Sequence, residues 1–343
     1  MKIGVIGLGS MGKRRVRDLL QLGHDVVGFD VRHDRRAEVA DRFGIVTVTS
    51  FDDLLQVAPR AGVISTPPDQ HQLYYELCFA NKIPFFSEAN IFTPRVEWFA
   101  EQERRSGVRG YPSGTWLFHP LFRALRDELE KLGPQQVNSI SYHYGGYLPL
   151  WHPWEPYTDF YAGRRKTSAA REMVPFESEP LAWMFGPVRA ITALQARAAK
   201  WDSDIDDTYL LLLEFETGVM GSLQVELHQV SPFRVARIST GKHSFMLDLA
   251  AHELHCYNLD QDAWRKIKPQ GLRPLSSFNF EDIYRAEIAQ FMEALNGAAF
   301  PKTWEHDRHL SSILFAAELS WSRREWVTIA EAETLYSGLD WWR

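Results

Sequence analysis

The chain opens on a short apolar run, Lys2 to Ile6, rich in Ile and Val, which reads as a buried strand. It stops at Gly7-Leu8-Gly9-Ser10-Met11-Gly12, after which Val16, Leu19, Leu20 and Leu22 recur at helical spacing up to Gly23. A second apolar run, Asp25 to Phe29, ends in Asp30. The alternation continues. Ile45 to Val48 predicts a strand before a helical start at Phe51 to Leu55, and Ala61 to Ile64 a buried strand before a helix over Leu73 to Ala80. Pro84 to Ser87 predicts the next strand. Parallel strands alternating with helices give a doubly wound α/β sheet that binds ligands at the carboxyl ends of its strands. Farther on, alternating runs at Val137 to Tyr144, Tyr209 to Phe215 and Met220 to Leu227 predict further strands.

The first turn carries chemistry as well as structure. Gly7 suits the tight turn, Gly9 lets the backbone approach a pyrophosphate, and Gly12 permits close helix-strand packing. The amides of Ser10 and Met11, at the helix start, point with the positive end of the dipole toward the phosphates. Asp30 lies 18 residues past Gly12, close to the ~20-residue offset of a ribose-binding acid. A carboxylate there accepts from both ribose hydroxyls and repels a 2′-phosphate, so the cofactor is read as NAD. Arg32, Arg35 and Arg36 follow closely and keep NADP as the competitor; they also fit a solvated basic turn. Ser65, Thr66, Pro67, His71 and Glu88 all fall at strand ends and join the cofactor-binding candidates.

Length and charge narrow the class. With 343 residues, two domains are expected. The 38 Lys and Arg are scattered among 44 Asp and Glu, which leaves no basic face for a nucleic acid and favours a small-molecule substrate. Cys78 and Cys256 stand far apart without a CxxC, so neither a disulfide framework nor a metal site is expected, and a cytoplasmic setting fits. No apolar window is long enough for a membrane span, and the glycine-broken N-terminus reads as a strand and not as a secretion signal.

The GxGxxG at the N-terminus, the Ser65-Thr66-Pro67-Pro68-Asp69-Gln70-His71 segment and the Ser87-Glu88 pair together resemble the Gfo/Idh/MocA family of NAD(P)-dependent oxidoreductases. The likeness continues through Asp206-Asp207-Thr208, Thr217 to Ser222, Gly241-Lys242, and the helices over Glu287 to Gly297 and Ile313 to Trp321. It implies a Rossmann domain over 1–120. It also implies, over 121–343, a substrate-binding and oligomerisation α/β domain with a large, mostly antiparallel open sheet. The family implies a sugar or sugar-derivative substrate and a homodimer or homotetramer formed through that sheet.

The sequence departs from the family where the chemistry sits. The usual Glu-Lys-Pro, which places a catalytic lysine beside the nicotinamide, reads Glu88-Ala89-Asn90 here. Counting back from Gly186, Glu172 falls at the family's Asp position and Phe176 at its His position. Alcohol oxidation needs a group to take the hydroxyl proton as hydride leaves, and neither Ala nor Phe can. Lys166 or Tyr161 is the expected proton carrier, with Glu172 orienting it. Arg164, Arg165 and Arg171 are expected to grip a carboxylate or phosphate of the substrate, with His119 as a further substrate contact. The same charge run also fits a solvated loop. Three functions stay open: sugar oxidation or reduction, an NAD-assisted conversion without net redox (elimination, epimerisation or glycoside cleavage), and non-catalytic binding of NAD or a sugar.

Overall fold

The alternating runs at the start of the chain become a six-stranded parallel sheet. Its strands are β1 (Lys2–Ile6), β2 (Asp25–Phe29), β3 (Val46–Val48), β4 (Ala61–Ile64), β5 (Phe85–Ser87) and β6 (Gly110–Pro112). Helices α1 (Ser10–Gln21), α2 (His33–Phe43), α3 (Phe51–Gln56), α4 (His71–Ala80) and α5 (Val96–Ser106) connect them. The spatial order is β3-β2-β1-β4-β5-β6, with every neighbouring pair parallel. Because helices cover both faces, successive strand residues are both buried: Phe85 packs with Tyr75, Phe99 and Trp304, and Phe86 with Ile3, Val5 and Phe291.

The computed structural model describes residues 1–133, 137–268 and 280–337, in two units. The first is Met1–Phe118 joined by a late segment that holds helix Glu281–Ala294 and runs to Arg308. The single cut expected at residue 120 therefore does not describe the chain, which returns to its first domain. Packing explains the return, because Ile288, Phe291 and Met292 of that helix complete the apolar cluster around Ile3, Val5, Val16 and Leu19.

The second unit begins at His119 and resumes at His309. Its elements are α6 (Pro120–Leu132), β7 (Val137–Tyr147), α7 (Ala169–Phe185) and strands β8 (Val188–Ala196), β9 (Thr208–Phe215), β10 (Met220–Glu226), β11 (His228–Thr240), β12 (His243–Asp248), β13 (Glu253–Asn258), β14 (Ala263–Lys266) and β15 (Val327–Thr328). They form a nine-stranded sheet in the order β14-β13-β12-β11-β7-β10-β9-β8-β15. All pairs are antiparallel except β10 with β7. One face is covered, and there Ile140, Tyr142, Leu211, Leu213, Leu223 and Val225 are buried. On the other, Leu194, Leu210, Leu212 and Met220 are exposed. No described helix is long and apolar enough to cross a membrane.

Candidate functional site

In the first unit the β1–α1 turn is a cradle that only small residues can line. Gly7 adopts φ +90°, and a Cβ on it would lie 2.7 Å from the Ser65 carbonyl oxygen. A Cβ on Gly12 would lie 1.9 Å from the Gly7 carbonyl oxygen. Gly9 is the N-cap of α1, and no side chain caps the helix start. The first-turn amides, including those of Ser10 and Met11, thus form an uncapped positive end. The Ser10 hydroxyl accepts from Arg14. Asp30 closes the cradle at the end of β2: one carboxylate oxygen accepts from the Leu8 amide at 2.7 Å and the other from the Arg32 amide at 2.8 Å.

The loop after β4 supplies the next wall. The Thr66 hydroxyl is buried without a hydrogen-bond partner, an unmet requirement that a bound polar ligand would satisfy. A cradle lined by Gly7 and Gly12, a carboxylate at the end of β2 and an orphaned hydroxyl after β4 fit a dinucleotide. Pro67 precedes a short 3-10 turn, Pro68–Gln70. His71 is fully buried, and its Nε2 lies 2.8 Å from the Thr66 carbonyl. A carbonyl only accepts, so Nε2 carries the proton and Nδ1 faces the hydroxyls of Tyr75 and Ser87, each at 3.4 Å. Burial pulls the His71 pKa down to about 4, so the ring is neutral and holds the loop from behind. Tyr75 and Ser87 share a 2.7 Å hydrogen bond, and Asn90 donates to Tyr75 at 3.2 Å.

Glu88 is engaged by a residue the sequence reading did not single out. Arg15 of α1, fully buried, donates to both Glu88 oxygens at 2.6 and 3.0 Å and to Glu287 at 2.6 Å. Burial disfavours its charge, but the two carboxylates outweigh that and raise its pKa. Glu287 also accepts from the Ser113 hydroxyl and the Gly114 amide at 2.8 and 2.7 Å. The signal was present: Arg15 lies four residues before Leu19, on the helix face that Val16 and Leu19 bury. Of the three arginines after β2, Arg32 pairs with exposed Asp34 at 2.5 Å, and Arg36 donates to the Asp30 and Val31 carbonyls at 2.7 and 3.0 Å. Arg35 approaches Asp30, at 3.8 Å.

In the second unit the candidates separate. Tyr161 donates to Glu172 Oε2 at 2.9 Å, which brings these two candidates together, with Glu172 in the first turn of α7. Lys166 has an exposed side chain, and its backbone carbonyl accepts from Arg171. Arg171 is also clamped to Glu318 through two hydrogen bonds, at 2.6 and 3.1 Å. That ion pair fastens the loop before α7 and uses the fork expected to grip a substrate anion. Arg164 and Arg165 are exposed, and Arg165 donates to the Asp204 carbonyl at 3.3 Å. His119 caps α6, its Nδ1 accepting from the Leu121 amide at 3.2 Å. Burial, followed by the charges of His252 and Arg234, lowers its pKa to about 3.

The best-buried charge here lies in the same charged stretch as Tyr161 and Glu172. Glu177, wholly inside α7, accepts from Tyr142 at 2.6 Å and from Arg234 at 2.9 Å. Burial raises its pKa although Arg234 opposes the shift. The Arg234 guanidinium lies 4.1 Å from the Tyr144 ring centroid. Their sequence separations gave no motif to read.

Residues 1–99 match a family model described as an oxidoreductase family with an NAD-binding Rossmann fold. No curated protein matches. Among solved structures, a levoglucosan dehydrogenase in complex with NADH and L-sorbose superposes with a TM-score of 0.83 at 16% identity, over 97% of this chain and 100% of that one. An oxidoreductase from Agrobacterium radiobacter, in complex with NAD+, L-tartaric acid and magnesium, gives 0.81 at 15% identity, over 96% and 98%. GenD2 from gentamicin A biosynthesis, in complex with NAD, gives 0.77 at 21% identity, over 96% of each chain. At these identities the likeness is one of fold.

Proposed function

We propose that the chain, whose residues 1–99 match the model of an NAD-binding Rossmann oxidoreductase family, oxidises or reduces a hydroxyl-bearing carbon of a sugar or sugar derivative. The observation that carries the reading is the cradle of Gly7 and Gly12 closed by Asp30. NAD, when bound, supplies a two-electron acceptor for the hydride that leaves the substrate carbon. Asp30 would take the ribose hydroxyls, the first-turn amides of α1 the pyrophosphate, and Thr66 one further polar group.

The second unit supplies the proton chemistry in this reading. The Tyr161 oxygen can accept a proton from a hydroxyl while the phenol's own proton moves to the Glu172 oxygen it already faces at 2.9 Å. One proton enters the pair and the substrate becomes a carbonyl. Tyr161 takes this role ahead of Lys166, whose side chain is exposed. The sugar class is favoured by the presence of levoglucosan dehydrogenase among the structural neighbours. The exposed leucines of β8 and β9 suit burial against a second copy of the chain, giving a homodimer or homotetramer.

A second reading, binding of NAD and a sugar without turnover, is favoured by Ala89 and Phe176 at the positions where the family carries its lysine and histidine. The test combines the purified chain and NAD with a panel holding levoglucosan, L-sorbose, acidic sugars and nucleotide sugars. NADH accumulation supports oxidation. Conversion of a sugar without NADH, or saturable binding without conversion, would overturn it in favour of the other functions.

A further inference from the structure

Between Tyr161 and Glu172 the chain makes a turn whose outermost residues, Arg164, Arg165 and Lys166, are exposed, so apolar burial does not anchor it there. Polar contacts fasten it instead. The Thr167 hydroxyl donates to the Tyr161 carbonyl at 2.6 Å and closes the turn on itself. The Arg171 guanidinium donates to the Lys166 carbonyl, and Arg171 stands beside Glu172 in the first turn of α7. One side chain thus joins the turn that carries Tyr161 to the helix start that carries Glu172. What fixes that side chain is Glu318, on helix Trp304–Arg323. Its two oxygens accept from Arg171 Nε and Nη2 at 2.6 and 3.1 Å, a paired contact that sets the guanidinium plane. Tyr209 of β9, itself buried, donates to the same Glu318 Oε1 at 3.3 Å, and Gln195 of β8 donates to the Tyr209 oxygen at 2.9 Å. Glu318 is therefore held by two strands while it holds Arg171.

We propose that Glu318 is a positioning residue for proton transfer. Through Arg171 it fixes the Tyr161 turn against the first turn of α7, and so sets the 2.9 Å hydrogen bond between Tyr161 and Glu172. This rests on the proton-transfer reading above. The contribution is geometric, and a displacement of about 1 Å at a reacting group costs on the order of 100-fold in rate. With side chains 15% and 21% exposed, Arg171 and Glu318 are little screened by salt, so their hold on the turn persists at ordinary ionic strength.

The test replaces the 12 tyrosines of the full-length chain with meta-fluorotyrosine and follows the fluorine resonance that Tyr161→Phe removes. Glu172→Gln marks where that resonance lies once the carboxylate is gone. Glu318→Leu should move the Tyr161 resonance toward that position. Arg171→Lys, which keeps the charge but not the fork, should move it part of the way. Because either single change strands a charge, the double variant Arg171→Met with Glu318→Leu removes both. It should keep the native NADH Kd and still show the displaced resonance. On levoglucosan and the other panel sugars, Glu318→Leu and the double variant should lower kcat roughly 10- to 100-fold with KM within ~3-fold. A Tyr161 resonance at its native position in both variants, or a KM that rises while kcat holds, would show that the ion pair is structural only and overturn the proposal. If the native chain turns over no panel sugar, or if Tyr161→Phe turns over as the native chain does, the proton-transfer reading falls and this inference with it, whatever the resonance shows.

Discussion

The two units hold their key groups in opposite ways. In the first, the groups proposed to face the cofactor are contiguous: Gly7 to Gly12 lie at one turn, and Asp30 reaches back to the Leu8 amide from the next strand. In the second, the buried charges come from distant segments, Glu177 from α7 meeting Arg234 from β11 and Tyr142 from β7, and Arg171 meeting Glu318. A pyrophosphate asks for backbone amides and absent side chains, which a short stretch of chain provides. A buried ion pair asks for two side chains at one depth, and segments far apart in sequence can supply them, whereas the Tyr161–Glu172 pair is local, 11 residues apart.

The largest expected effect falls on the buried ion pairs. Arg15→Met leaves Glu88 and Glu287 facing each other without a cation and should cost roughly 3–5 kcal/mol in urea unfolding, with NADH binding lost as the cradle loosens. Glu177→Leu strands Arg234 and should cost a similar ~3–5 kcal/mol, yet the folded protein should keep its NADH affinity. If Glu177→Leu abolished NADH binding, the contrast between a local cradle and a distributed network would break.

Gly12→Ala comes next. Its added Cβ would meet the Gly7 carbonyl at 1.9 Å, so the turn must open, at about 1–3 kcal/mol for overpacking. Calorimetry should find no NADH binding by the variant.

The pH dependence tests both units alike. His71 and His119 are lowered from 6.5 to about 4 and about 3, in each case first by burial. A lowered histidine pKa means the unfolded chain binds more protons within that window, so stability is fully present above 6.5 and is lost as pH falls. Thermal midpoints should therefore drop between pH 6.5 and 4. His71→Gln or His119→Gln should each flatten the slope by up to about one bound proton. An unchanged slope in both would show that neither ring stays neutral in the fold.

The smallest effect belongs to Thr66. Thr66→Val removes a buried hydroxyl that has no protein partner, so without cofactor the stability should be equal or higher by about 1 kcal/mol. NADH affinity should fall by roughly 5-fold, one neutral hydrogen bond. An unchanged affinity would detach Thr66 from the cofactor.

Much of the first sheet was legible. Strands expected at Lys2 to Ile6, Asp25 to Phe29 and Ala61 to Ile64 are found at those bounds, because buried parallel strands are uninterrupted apolar runs closed by glycine or polar residues. In the second sheet, Val137, Thr208 and Met220 start strands where alternation predicted them within a residue. β11 was not foreseen: it contains Pro232 and a register shift between His228 and Phe233, which hides its period. The return of helix Glu281–Ala294 was equally hidden, since its apolar residues show that it packs and not upon which sheet. Of the expected site residues, Tyr161 and Glu172 met because a loop folded onto the helix that follows it. Arg171 was consumed by Glu318, 147 residues away, a distance over which spacing carries no information.

The division of labour is tested most directly by Tyr161→Phe, with the NADH Kd and the rate of NADH formation on the responsive sugar measured on one preparation. The predicted result is an unchanged Kd with turnover reduced ~100-fold or more, the lower bound for losing a general acid–base group. Turnover equal to that of the native chain would contradict the assignment of proton transfer to the second unit's Tyr161–Glu172 pair.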